Sequence, residues 1–250
     1  MTDRLGEELA DRIRAATAAS VSGWRSAELL FSGGLDSAVV AAACPSDLDL
    51  TLVTVGAAGS DDASVAPRAA ELLHRPHRAR TFDSADVVRA TTAMETELQS
   101  ASPPFRSALA ALSLALEATE GEHVLCGQGA DELFYGYAHF HSVDVHAAIR
   151  LGDADLARLL ERDWPQTVRL AQEGGRALRS PFLEERFLEW ARTLAPSERY
   201  LRGRPKHLLR SAARALGVPE SIAGRPKKAI QFGSGLDRLA RAGTRVTPRG

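Results

Sequence analysis

Hydrophobic positions in the first half of the chain alternate between short compact runs and helical spacing. Glu28–Phe31, Leu50–Val55, Arg78–Phe82 and His123–Cys126 read as strands, each a brief run rich in apolar residues. Asp36–Ala43, Asp62–His74, Ala85–Leu98 and Ser107–Thr119 place apolar residues at helical period between them. Such alternation predicts parallel strands joined by crossover helices. Leu5, Leu9 and Ile13 mark a lead-in helix within residues 1–25. After Tyr137 the strand signal fades, and "DADLARLLERDWPQTVRLAQEGG", "PFLEERFLEWARTLAP" and "RPKHLLRSAARALG" are helical by period. The pattern predicts an α/β core over 26–140, a helical part over 141–238 and a frayed tail over 239–250. Loops fall around Gly174 and Gly203–Pro205, and His74 and His77, flanking Pro76, also read as loop residues.

Composition narrows the class without naming a chemistry. The 250 residues are 44% hydrophobic and carry a net charge of -1, so nothing global favours nucleic acid or a membrane surface. Two cysteines, Cys44 and Cys126, exclude a disulfide framework and a paired-cysteine metal site. The N-terminal stretch lacks the apolar core of a signal peptide, and no apolar run reaches the length of a membrane span. The expectation is a soluble, cytoplasmic protein.

Chemistry is concentrated in two Gly-rich turns at predicted strand ends, where open parallel sheets bind ligands. In "LLFSGGLDSAVVAA" the glycines allow successive N–H groups to face one concavity, the next helix adds its positive end, and Ser32 and Ser37 add hydroxyls. This suits a polyphosphate. The ordinary P-loop lysine is missing, and a carboxylate beside phosphates repels them unless a metal intervenes, so Asp36 points to a divalent cation. In "LCGQGADELFYGY", Asp131 offers a second carboxylate. The competing reading is that each aspartate merely caps or charges the start of its helix.

Together, "SGGLDS" and "GQGADELFYGY" resemble the synthetase domain of asparagine synthetase and its relatives, within the ATP pyrophosphatase superfamily. "RSPFLEERFLEWA" and "KHLLRSAARALGVPESIAGRPKKAIQFGSG" extend the likeness over about residues 25 to 235. The resemblance implies a parallel-sheet, adenine nucleotide alpha hydrolase-like core with a reduced C-terminal helical lobe. It implies an ATP- and Mg²⁺-dependent ligase that adenylates a small carboxylate, aspartate by default, and then passes the acyl group to ammonia or an amine. On that likeness Ser32, Gly33, Gly34, Asp36 and Ser37 hold the departing pyrophosphate, and Asp36 and Asp131 ligate Mg²⁺. Leu30, Val55, Cys126 and Gly127 line the nucleoside pocket, while Lys227 faces the α-phosphate. Arg106, Arg179 and Lys206 are weaker candidates, each read as an exposed surface charge.

The match departs from the family in three places. Position 2 is Thr2, and the first strand begins near Glu28, leaving no room for an N-terminal glutaminase domain. Ammonia would then be free or come from a separate glutaminase. Gln128 stands where asparagine-forming members usually carry Glu, and an amide cannot act as a base. The helical lobe is also short. A metal cluster at His139, His141 and His146 lacks a convincing fourth ligand. The basic stretches "RPHRAR" and "RYLRGRPKHLLR" come without the composition expected of an RNA-modifying enzyme. The alternatives are a non-catalytic or regulatory nucleotide-binding module and another adenylating ligase, one that serves a specialised metabolite.

Overall fold

The structure is a computed structural model and describes residues 2–94, 103–225 and 233–243. Five parallel strands form one sheet in the order β3-β2-β1-β4-β5. They are β1 (Ser26–Leu30), β2 (Asp49–Ala57), β3 (His77–Phe82), β4 (His123–Leu125) and β5 (Ala177–Arg179). Residue pairing is in one direction throughout, from Ser26↔Asp49 in β1 and β2 to Leu125↔Arg179 in β4 and β5.

Helices cover both faces, as an all-parallel sheet requires. The long lead-in helix α1 (Thr2–Ser20) and α2 (Leu35–Ala43) pack with Leu29, Leu50, Leu52 and Leu125 in the largest core cluster. Helix α3 (Asp61–Leu72) joins that face through Ala66, Ala69 and Ala70. The opposite face buries Val53, Val55 and Phe82 against α4 (Ser84–Ala93) and α5 (Pro103–Glu117). Strand alternation thus sends Leu29 and Leu52 to one core and Val53 and Val55 to the other.

After β4 come two short helices, α6 (Ala130–Leu133) and α7 (Ala138–His141), and then α8 (Val145–Arg158). A π-helical turn over Leu159–Asp163 joins α8 to α9 (Trp164–Glu173). Beyond β5 the chain adds α10 (Glu185–Thr193), α11 (Pro196–Arg199), α12 (His207–Ala215), α13 (Glu220–Ala223) and α14 (Leu236–Gly243). No helix among the described residues is long and apolar enough to cross a membrane.

The four expected strands are present within one or two residues. β5 corrects the expectation that strands end with the first half: its three residues pair with β4 and bury only Leu178. So short a segment has no period to read. His77 is a strand residue rather than a loop residue. Its ring lies 2.8 Å from Thr54 Oγ1. Helix α14 runs through Gly243, so residues 239–243 are helical where a tail was expected.

Candidate active site

The strand order reverses at β1, which pairs with β2 on one side and β4 on the other. The turns after β1 and β4 therefore lie side by side, at the crevice where such sheets bind ligands. Their contact is close. A Cβ placed on Gly127 would stand 3.0 Å from Asp36 Cβ and 3.2 Å from the Ser37 nitrogen. Glycine is required there for the two turns to meet.

The first turn is shaped by Gly33, whose φ of +69° lies in the left-handed region. Ser32 Oγ accepts from the Gly34 N–H at 3.3 Å, and Ser37 Oγ donates to the Gly34 carbonyl at 3.4 Å. Behind the turn, Thr54 Oγ1 donates to the Phe31 carbonyl at 2.6 Å. Thr54 has one proton, so the His77 Nε2–H must donate to it. Neither aspartate caps its helix. The N-cap positions are Gly34 and Gly129, neither making a side-chain cap bond, and both carboxylates are left for another partner.

That partner is Lys206. Its Nζ lies 2.5 Å from each Asp36 carboxylate oxygen and 2.7 Å from Asp131 Oδ1. The lysine side chain is 2% exposed, against 21% for Asp36 and 11% for Asp131. This corrects the expectation of a surface charge. Burial pushes the ammonium pKa down, and the Asp36 carboxylate opposes the shift. Gly136 makes the packing possible, since a Cβ there would fall on Asp131 Oδ1 and Lys206 Cε. Beside this triad, buried Glu132 accepts from the Tyr137 hydroxyl at 2.8 Å. Burial raises the carboxyl pKa of Glu132, and burial followed by the Glu132 charge raises that of the phenol.

Two arginines that the sequence did not single out as site residues hold the surroundings. Arg225 donates to the Ser32 carbonyl and to Asp61. Arg210 donates to the carbonyls of Pro205, Ala223 and Arg225, tying the Lys206 loop to the end of α13 and to Arg225. Lys227, two residues beyond Arg225, lies outside the described residues. Ser180 of the "RSPFLEE" segment donates to the Gln128 carbonyl at 2.6 Å. Gln128 Oε1 is buried without a hydrogen-bond partner among the described residues.

On the other face of the sheet, Leu30 packs against both the cluster holding Val55 and the cluster holding Cys126. Leu30 thus borders the two separate clusters to which Val55 and Cys126 belong. Burial pushes the Cys126 thiol up to about 12, so it is a packing group. Arg179 is not brought to the turns. Its guanidinium lies 4.5 Å from the Trp24 ring centroid and donates to the Ser20 carbonyl at the end of α1. Arg106 stays exposed on α5. His139 pairs with Asp155, and His141 contacts the Tyr135 carbonyl.

Asp36 and Asp131 supply the oxygen donors a hard divalent cation takes, and they converge on a single cationic position. The pair fits Mg²⁺ in donor type and direction, with Lys206 as the present occupant. Among the described residues no group of three or more His, Cys, Asp or Glu is gathered for a metal. Two carboxylates would leave the remaining coordination to phosphate oxygens and water, as Mg²⁺ commonly does at nucleotide sites.

Comparison with known proteins bears on this geometry. A family model described as asparagine synthase matches residues 8–178 and 154–244. The glutamine-hydrolysing asparagine synthetase of Mus musculus is 28% identical over 221 residues, covering 82% of this chain and 39% of that protein. Its Homo sapiens counterpart is 29% identical over 218 residues, with the same coverage of each chain. The chain thus spans about two fifths of the length of these relatives. Among solved structures, NMN synthetase from Francisella tularensis is similar at a TM-score of 0.45 and 14% identity, covering 93% of this chain and 77% of that one.

Proposed function

The chain belongs to the asparagine synthase family, and from that premise we propose that it is an ATP-dependent, amide-forming ligase. It adenylates a small carboxylate, aspartate by default, and then transfers the acyl group to ammonia or an amine. In the first step a carboxylate oxygen bonds to the α-phosphorus as the bond to pyrophosphate breaks. In the second, the amine bonds to the acyl carbon and AMP leaves.

The observation that carries this reading is the meeting of the two Gly-rich turns, with Asp36 and Asp131 aimed at one cationic position. Ser32, Gly33, Gly34 and Ser37 present backbone N–H groups and hydroxyls to the pyrophosphate. Leu30, Val55, Cys126 and Gly127 form the wall for the nucleoside. Mg²⁺, held by Asp36 and Asp131, would neutralise charge on the leaving group. Lys227 is assigned to the α-phosphate, where a fixed cation stabilises developing charge. Gln128 orients the incoming amine by hydrogen bonding, and a separate glutaminase is one proposed source of ammonia.

ATP–pyrophosphate exchange over a panel of carboxylic acids tests the proposal. Exchange driven by aspartate or another acid, and lost in Asp36→Ala, is the expected result. ATP binding without exchange for any acid would instead identify a nucleotide-binding module.

A further inference from the structure

Lys206 is fully enclosed, yet its backbone is costly to hold. It is a non-glycine residue at φ 56°, ψ 33°, directly before α12. Lysine in the left-handed region is strained, and it persists there only where its surroundings hold it. Two contacts compensate here: Arg210 clamps the Pro205 carbonyl at 3.0 Å, and the ammonium meets three carboxylate oxygens within 2.7 Å. The first turn and the Lys206 loop are 170 residues apart in sequence, so this contact is made by the tertiary fold alone.

Two carboxylates facing each other repel unless a cation lies between them. A tethered ammonium and a divalent ion meet the same need, but they cannot share one position between the same oxygens. We propose that Lys206 is the resident cation of this site, holding Asp36 and Asp131 in their metal-binding arrangement and exchanging with the divalent ion when metal and nucleotide arrive. The inference rests on the ligase reading only for the identity of the nucleotide. Lys206 is a positioning residue in this scheme: it preorganises the acidic pair and tunes how much metal is needed to load the site. With the Asp36 and Asp131 oxygens given to the metal, its ammonium is freed toward Glu132, whose charge already acts on it.

Two measurements test this without recourse to activity. In Mn²⁺ titrations of the nucleotide-free protein followed by electron paramagnetic resonance, Lys206→Met is expected to bind roughly tenfold tighter or better, since metal no longer displaces an ammonium. Lys206→Arg should bind no tighter than wild type, and Asp36→Asn should cancel the gain. If Lys206→Met folds only when Mn²⁺ is supplied, as judged by circular dichroism, the exchange is also supported. Unchanged or weaker Mn²⁺ binding, or a protein that Mn²⁺ does not rescue, overturns it.

The second measurement uses the native protein. The buried ammonium should give its own ¹⁵N-edited resonance, assigned by its loss in Lys206→Arg, and saturating Mg²⁺ with α,β-methylene-ATP should shift it. A resonance that stays unchanged while that complex forms also overturns the inference. Failure of carboxylate-driven exchange, by contrast, would remove the ligase reading and leave the metal result standing.

Discussion

Arg225 Nη1 donates to the carbonyl of Ser32 at 3.2 Å, across 193 residues of chain, while its Nη2 lies 2.5 Å from Asp61 Oδ2. One guanidinium thereby joins the first Gly-rich turn to the start of α3. The Asp61 contact is partly open to solvent, which screens the ion pair, and Asp61 holds the guanidinium in place beside the Ser32 carbonyl. Arg225→Ala is expected to weaken ATP binding roughly tenfold, the scale of one lost charge-assisted hydrogen bond. Arg225→Lys should be intermediate, because an ammonium lacks the planar fork that reaches both partners. Calorimetric titration with ATP checks this, and equal affinity in wild type and Arg225→Ala would show that the clamp does not shape the turn.

Gly33 is constrained twice. Its φ is +69°, and an added Cβ would stand 3.0 Å from the Ala66 Cα, a backbone atom of α3 that cannot rotate away. Gly33→Ala is therefore expected to destabilise by about 1–3 kcal/mol and to abolish carboxylate-driven exchange. Gly175 provides the control, with φ of +74° and nothing within 4 Å of an added Cβ. Gly175→Ala should carry only the conformational cost, about 1 kcal/mol, and keep its activity. Thermal unfolding of the two variants separates steric from backbone strain; equal losses would mean that α3 yields.

The contrast between these glycines shows what a linear reading can capture. The strands and helices of the core were legible because apolar period and Gly-rich punctuation are local signals, and Asp36 and Asp131 could be singled out as candidates because each follows such punctuation. Lys206 was not. It sits in "RGRPKHLLR", where neighbouring charges suggest solvent, and its burial comes from a contact with Asp36 that no local pattern encodes. Arg210 was missed for the same reason, since its value lies in three carbonyls gathered by the turn between α12 and α13. Strand β5 is too short for periodicity and exists because β4 offers it a free edge.

His77 links pH to the back of the first turn. Its burial holds the imidazole pKa below the usual 6.5. The folded protein therefore keeps the ring neutral where the unfolded chain is already taking up a proton. Stability from this group is present above about pH 6.5 and is lost as pH falls through the lower folded value. His207 is shifted in the same direction, chiefly by burial, and adds to the loss. His77→Gln should show a smaller drop in Tm than wild type between about pH 7.5 and pH 5, because one of the two contributions is gone. A drop as large as that of wild type would assign the acid sensitivity elsewhere.

In the proposed mechanism Gln128 acts in the second half-reaction and not in the first. Its carbonyl is pinned by Ser180, while its side-chain Oε1 is buried with no partner among the described residues. A buried acceptor left open costs about 1–3 kcal/mol, so the position favours a ligand that donates a proton, as an amine does. Gln128→Glu keeps the shape and supplies a base. The proposed mechanism assigns adenylation to Asp36 and Asp131 instead, so pyrophosphate exchange in this variant is expected to stay within about threefold of wild type. Amide formation with ammonia should rise, most clearly at lower pH, where a positioned carboxylate can take a proton from bound ammonium and leave ammonia, with its free electron pair, to attack. Gln128→Leu should retain exchange and lose amide formation. Loss of exchange in both variants would place Gln128 in the first step and send the search for the amine site elsewhere.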